Sequence, residues 1–249
     1  MFSIATIMYK VREQSNMNLR TAKTLIITSA LFAAGIVNAQ QPSLKFAELG
    51  YGQSSVDDSG FDLDKFSGVN AAASFMLSDS FYVPVSYYKH SDDFNESSFN
   101  DFGSVTEQLA VNITVDYSEL AAGIGYQLPM SKTALLATDF SVLQVKVALS
   151  EDGSVLITQD GQVVLDDSFS GGGSVTENGF MLRSVYQNLW DNGFQLNLGA
   201  HYKAIKLDGE NVDETGAIVE VLYHFNESFA AKVGGIIGEE SQVVVTARY

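Results

Sequence analysis

The chain has 249 residues, no cysteine, 3 prolines, 21 glycines and a formal charge of −16. Without cysteine there is no disulfide scaffold, zinc ribbon or thiol nucleophile. An excess of carboxylates argues against a nucleic-acid binder, whose phosphate contacts need clustered Lys and Arg. A hydrophobic content of 46% is too high for a disordered chain.

The first 39 residues read as a targeting region. From Met17 a basic stretch with Arg20 and Lys23 leads into the apolar run TLIITSALFAAGI, then Val37-Asn38-Ala39. This is the layout of a cleaved signal peptide, with Met17 as the expected start and cleavage expected after Ala39. The apolar run is too short for a membrane helix, which needs about 20 residues. Residues 40–249 then form a single domain.

From there apolar residues recur at every second position, the strand period. The first strand carries Ala47, Leu49 and Tyr51, the second Val69, Ala71, Ala73, Phe75 and Leu77, the third Val83, Val85 and Tyr87. The fourth carries Leu120, Ala122, Ile124, Tyr126 and Leu128, the fifth Leu136, Phe140 and Val142, the sixth Leu182 and Tyr186. Phe194 to Tyr202, Val219 to Phe225, Phe229 to Ile237 and Val243 to Tyr249 complete a set of ten. Short turn-type clusters fall at 78–80, 129–132, 191–193 and 226–228, which suits tight hairpins. The other connections, 55–66, 91–117, 150–178, 208–216 and 238–242, read as loops, mostly longer. An even strand count with short turns at one end and long loops at the other predicts an all-β, transmembrane, antiparallel up-and-down barrel of ten strands, with eight as the alternative.

In the fourth and fifth strands the apolar positions change phase, from odd Val111, Ile113, Val115 and Tyr117 to even Leu120, and from even Val142 to odd Leu143, Val145, Val147 and Leu149. The change predicts bulges and a hairpin standing clear of the bilayer. Val155 to Leu165, around Asp160-Gly161, reads as a further small hairpin above it. Aromatic residues gather near strand ends, as membrane girdles do. Phe81, Tyr126, Trp190, Phe194, Phe225, Phe229 and Tyr249 border the short turns, and Tyr51, Tyr87 and Tyr202 suit the opposite ring.

Three segments carry a likeness to a known family: the opening strand Ala47 to Gly52, the hairpin Ala73 to Val83 and the closing hairpin Phe229 to Tyr249. On these the chain resembles the small porin-like, OmpA-like outer-membrane β-barrels of Gram-negative bacteria. The resemblance implies a place in the outer membrane, with the bilayer and lipopolysaccharide as surroundings. It also implies Tyr249 as the terminal aromatic recognised by the outer-membrane assembly machinery. Many such barrels end on Phe. No periplasmic domain is expected after the barrel.

Strand parity places Glu48, Glu119, Asp139 and Glu220 on lumen-facing positions with Arg183, Lys203, Lys232 and Arg248. Four charges of each sign predict a cross-braced interior, because unpaired charge in a confined space is costly. A barrel of ten strands lies near the size that side chains fill, so a wide pore is not expected. The acidic loop residues, among them Asp57, Asp58, Asp62, Asp64, Asp92, Asp93, Glu96, Glu151, Asp152, Asp166, Asp167, Asp208, Glu210, Asp213 and Glu214, read as a solvated rim, with divalent cations as the sharper alternative. No EF-hand spacing is present. His90-Ser91-Asp92-Asp93 is the one cluster of His with acids, and gives the rival reading of a rim-site enzyme. The main reading has no catalytic residue, no cofactor and no metal: an integral, non-enzymatic barrel with an envelope-structural or surface-interaction role and at most a narrow solute path.

Overall fold

The computed structural model describes residues 41–56, 66–207, 210–238 and 240–249. The targeting region and Asp57, Asp58, Asp62, Asp64 and Asp208 lie outside the described residues. Ten strands follow one another: β1 (Phe46–Val56), β2 (Phe66–Met76), β3 (Phe81–Asp101), β4 (Val105–Pro129), β5 (Ala134–Gln159), β6 (Gln162–Leu189), β7 (Phe194–Leu207), β8 (Glu210–His224), β9 (Ala230–Gly238) and β10 (Glu240–Arg248). Each pairs antiparallel with its neighbours in the chain, and β1 pairs with β10, so the sheet closes into a ten-stranded barrel. Closure leaves no edge inside the bilayer, where an unmet backbone group is prohibitive.

The faces are inverted relative to a soluble protein. Outward stand Leu49, Phe75, Leu120, Ile124, Phe140, Val142, Leu182, Val233 and Val245, all exposed; inward stand buried Glu48, Glu119, Asp139, Lys203 and Arg248. On β4 the outward apolar run extends from Leu120 to Leu128. At roughly 3.3 Å per residue and a tilt of about 40° it climbs roughly 20 Å, close to the apolar band of a membrane barrel. Its outer limit follows the register around the wall: Tyr51 lies beside Val69, Ala71 beside Tyr87, and Tyr87 beside Leu120. One step further out the same face carries Gln53, Ser67, Lys89, Ser118, Gln144 and Asn178. Tyr51, Tyr87 and Tyr202 sit at this limit. Phe81, Tyr126, Trp190, Phe225, Phe229 and Tyr249 are exposed at the short-turn end. A closed barrel with its apolar face outward is an outer-membrane barrel.

Two expectations need correction. The connections 91–117 and 150–178 are not loops. β3 and β4 stay paired to Asp101 and Thr106, and β5 and β6 to Gln159 and Gln162. Two short turns close these hairpins. The second is Asp160-Gly161, with φ of 52° and 77°, a conformation that this dipeptide accepts at little steric cost. Nor do bulges explain the phase change. Pairing of β4 with β5 runs without a shift from Val105↔Gln159 to Pro129↔Leu135. Odd residues therefore face inward along the whole of both strands, and it is the surroundings that change. Beside lipid the outer face must be apolar; beyond the bilayer water takes that side, so the outer face turns polar and the inner face apolar. The only shift in this region lies at Ile157/Thr158, near the tip.

The result is a four-stranded extension standing outside the membrane. From Val142 to Gln159, β5 alone adds roughly 55 Å of strand. The extension occupies one side, because β2–β3 pairing stops at Ser67↔Ser91 and β6–β7 pairing at Gly179↔Ile205.

Candidate functional site

The inward side chains form three linked layers. At the short-turn end, Leu44 from the segment preceding β1 is only 4% exposed and packs on Tyr82, Leu135, Ala137 and Met76. Gln41 Nε2 donates to Ser131 O at 3.0 Å, fastening that segment across the mouth. The Arg248 guanidinium lies 4.0 Å over the Phe46 ring. Leu44 thus fills part of the inner mouth.

Above it lies a lattice of charges. Glu48 accepts from Arg248 Nε and, at 2.5 Å, from Lys232 Nζ. Lys232 reaches Glu220 at 3.1 Å, and Asn197 Nδ2 donates to Glu220 at 2.8 Å. Gln195 continues the chain to Asn197 at 2.8 Å, and His224 Nε2 contacts Gln195 Oε1 at 2.9 Å. On the opposite wall Arg183 donates to Asp139 through Nε and Nη2 at 3.1 and 3.0 Å, and Tyr82 donates to the same oxygen at 2.9 Å. The Tyr82 ring lies flat against Gly125, where a Cβ would come within 2.2 Å of it. A Gly125→Val substitution is therefore expected to displace Tyr82 and weaken the Asp139 cluster, read as a lower temperature for the gel-mobility transition of the folded barrel.

The third layer sits at the outer limit of the belt. Lys203 Nζ lies 2.5 Å from Glu214 and 3.7 Å from Glu119, and His201 Nε2 lies 3.4 Å from Glu214. Tyr88 donates to Glu119 at 2.9 Å, and its ring stacks on Tyr117 with centroids 5.6 Å apart. All eight charged residues placed on the lumen face by parity thus meet partners of opposite sign. Parity alone missed Glu214, which 208–216 as a loop had put on the rim. The strand β8 carries it inside instead. Its even position opposite Lys203 was the available signal. Glu214 lies beyond the belt-crossing part of β8; burial works to raise its pKa, yet the His201 hydrogen bond and the Lys203 charge hold it below the ordinary carboxylate range.

His90 is not on a rim loop, because β3 runs on past it. Its ring is buried, with Nδ1 3.0 Å from Ser54 Oγ and Nε2 3.3 Å from Asn70 Nδ2. Here, beyond the belt, burial pushes its pKa below the ordinary value and favours the neutral ring. Both ring nitrogens are engaged in bracing β1, β2 and β3. Among the described residues no group of three or more His, Asp or Glu is placed to hold a metal ion.

Among the described residues, two adjoining cavities lie between the layers. The lower, about 170 Å³, reaches from Glu48 and Lys232 to Glu119. The upper, about 150 Å³, lies beneath the outer mouth. They share Tyr88, Glu119, Met181, His201, Ile236 and Gln242.

Neither a family model nor a curated protein sequence matches the chain. Among solved structures, the attachment invasion locus protein Ail of Yersinia pestis, in complex with the heparin analogue sucrose octasulfate, is 16% identical with a TM-score of 0.40, over 82% of this chain and 97% of that one. The KdgM porin in complex with disordered oligogalacturonate is 9% identical with a TM-score of 0.41, over 81% and 98%. The translocator domain of the autotransporter NalP from Neisseria meningitidis is 9% identical with a TM-score of 0.36, over 84% and 89%. The architecture described above rests on the chain's own pairing and faces, not on these likenesses.

Proposed function

We propose that this outer-membrane barrel is a non-enzymatic surface-interaction protein whose lumen is braced shut, not a general porin. The observation that carries this reading is the four-stranded extension. Its inner face bears Phe94, Val111, Ile113, Val115, Leu149, Val155 and Ile157, and exposed Val163, Leu165 and Phe169 follow on β6. Among the described residues no strand pairs with the outer edge of β3 beyond Ser91 or of β6 before Gly179. Apolar surface and open edges in water are features that proteins suppress unless they serve contact. The seating of Leu44 and the charge lattice support the closed lumen.

The test trims the extension at a matched level. Asp93, Thr114, Ser150 and Gly172 lie side by side across the four strands, so replacing 94–113 and 151–171 each with Asn-Gly closes two short hairpins. Cells displaying the full barrel are expected to partition into hexadecane more strongly than cells displaying the trimmed one. Equal partition at equal surface level overturns the reading. In planar bilayers the refolded full chain is expected to stay silent; reproducible discrete steps would transfer the function to the lumen, with Glu48, Asp139, Arg183 and Lys203 as selectivity residues.

For assembly we propose that Tyr249 is read by the outer-membrane machinery. Its backbone closes the seam with Ala47 at 2.7 and 2.8 Å while the side chain is exposed. Tyr249→Ala is expected to lower the assembled fraction in cells without changing the stability of barrel refolded in vitro; a parallel loss in both would make the residue structural.

A further inference from the structure

We propose that the edge of β3 beyond Ser91 is a docking site for a cationic extended segment of another protein, which adds to the extension as a further strand. The inference rests on the surface-interaction reading and names the chemistry of the partner.

The direction of the backbone groups supplies the first observation. Phe102 N donates to Val105 O at the tip, and Gln127 N donates to Ser80 O near the short turns. One register joins these ends. Hydrogen-bonded and open pairs alternate along an antiparallel ladder, so the even residues of β3 bond to β4. Asp93, Asn95, Ser97, Phe99 and Asp101 turn their N–H and C=O the other way. Up to Ser91 that side is taken by β2; beyond it no strand pairs there among the described residues. Residues 92–101 span roughly 33 Å, and every residue from Asn95 on is exposed.

The charge on this edge supplies the second observation. Proteins blunt a long edge with Lys, Pro or a bulge. Between Asp92 and Asp101 there is no Lys, Arg or Pro, and pairing with β4 runs without a shift. The edge carries acid instead. Thr114 Oγ1 donates to Asp93 at 2.6 Å and Gly103 N to Asp101 at 2.8 Å; both donors are neutral, so neither contact offsets the charge. Along 92–118 and 144–178 twelve carboxylates stand against the single base Lys146. Like charges opposite one another destabilise a strand pair, and opposite charges stabilise it. A second copy of this edge is therefore repelled. A strand with Lys or Arg on its outer face meets Asp93 and Asp101, with Glu96 adding to the same field. Apolar residues between the cations continue the inner face beside Phe94.

The experiment uses the full refolded barrel in nanodiscs of zwitterionic lipid. Three fluorescent ten-residue peptides are titrated by anisotropy, with valine alternating with lysine, threonine or glutamate. The lysine peptide is expected to bind about tenfold or more tightly than the threonine peptide, through its cross-strand charge pairs, and the glutamate peptide not to bind. Ser97→Pro removes an edge-facing N–H and leaves the β4 ladder whole; it is expected to abolish binding. Asn95→Pro serves the same purpose if that variant does not fold, as judged by gel mobility before and after heating. The triple variant Asp93→Asn, Glu96→Gln, Asp101→Asn is expected to bind the lysine and threonine peptides alike. Lysine-peptide binding that survives the proline would reveal diffuse attraction without an added strand, and binding undiminished on the trimmed barrel would reveal adsorption elsewhere. Equal binding of the lysine and threonine peptides to the unaltered barrel, or a preference kept by the triple variant, would reveal an edge blind to these charges. Silence with all three peptides would reveal a closed edge. Each of these results overturns the proposal, whereas the surface-interaction reading falls only with the hexadecane comparison.

Discussion

Glu48→Leu is expected to be among the most damaging single substitutions in the lumen, lowering the unfolding free energy by about 3–5 kcal/mol. Glu48 is the shared acceptor of Lys232 and Arg248, and all three side chains are nearly buried, at 3%, 12% and 9% exposed. Its removal leaves two cations facing each other with Glu220 as their remaining acidic partner among the described residues, and the barrel gives them little water. Asp139→Leu breaks a pair of similar geometry, yet should cost less. Its partner Arg183 is 35% exposed to the cavity, so water screens the orphaned guanidinium. Urea unfolding of the two refolded variants in lipid vesicles checks the order. Equal losses would mean that the cavity is dry, and a negligible loss for Glu48→Leu would mean that the lattice does not hold the barrel.

The second large effect lies on the other face of the wall. Ile124, 52% exposed, points outward near the middle of the apolar run on β4, beside Phe140. Ile124→Arg places a charge near the bilayer midplane and is expected to cost about 2–4 kcal/mol. Asn112→Arg puts the same charge on the same face of the same strand, twelve residues nearer the tip. There it is expected to change stability by less than about 0.5 kcal/mol, as surface substitutions do. Unfolding in vesicles measures both. If Asn112→Arg proved as costly as Ile124→Arg, the bilayer would have to reach beyond Ser118 and the extension would be part of the span.

The contrast between these two positions shows what a sequence pattern holds and what it does not. Alternation with period 2 is local: each residue's face is set by its own strand, whatever the partner. Ten strands, the apolar belt from Leu120 to Leu128, the tyrosines at its outer limit and the inward parity of Glu48, Glu119, Asp139, Glu220, Arg183, Lys203, Lys232 and Arg248 could therefore be read without coordinates. The same locality misled where the solvent changes. Val111 and Leu120 lie on opposite faces of one unbroken strand, and an apolar residue marks the outside in lipid but the inside in water. A change of phase in the pattern was thus a change of medium, and polar strands outside the bilayer looked like loops.

Only the tertiary structure decided which charges meet. Glu48 and Arg248 stand 200 positions apart in the chain, and their contact exists because the last strand closes on the first with a particular register. Lys203 faces Glu214 because β8 begins early enough to carry that carboxylate into the wall. The seating of Leu44 in the inner mouth and the burial of His201 beside Glu214 likewise depend on side chains from several strands arriving at one height. Parity assigns each residue a face, but register and ring closure fix its height and its neighbours, and these are properties of the whole barrel.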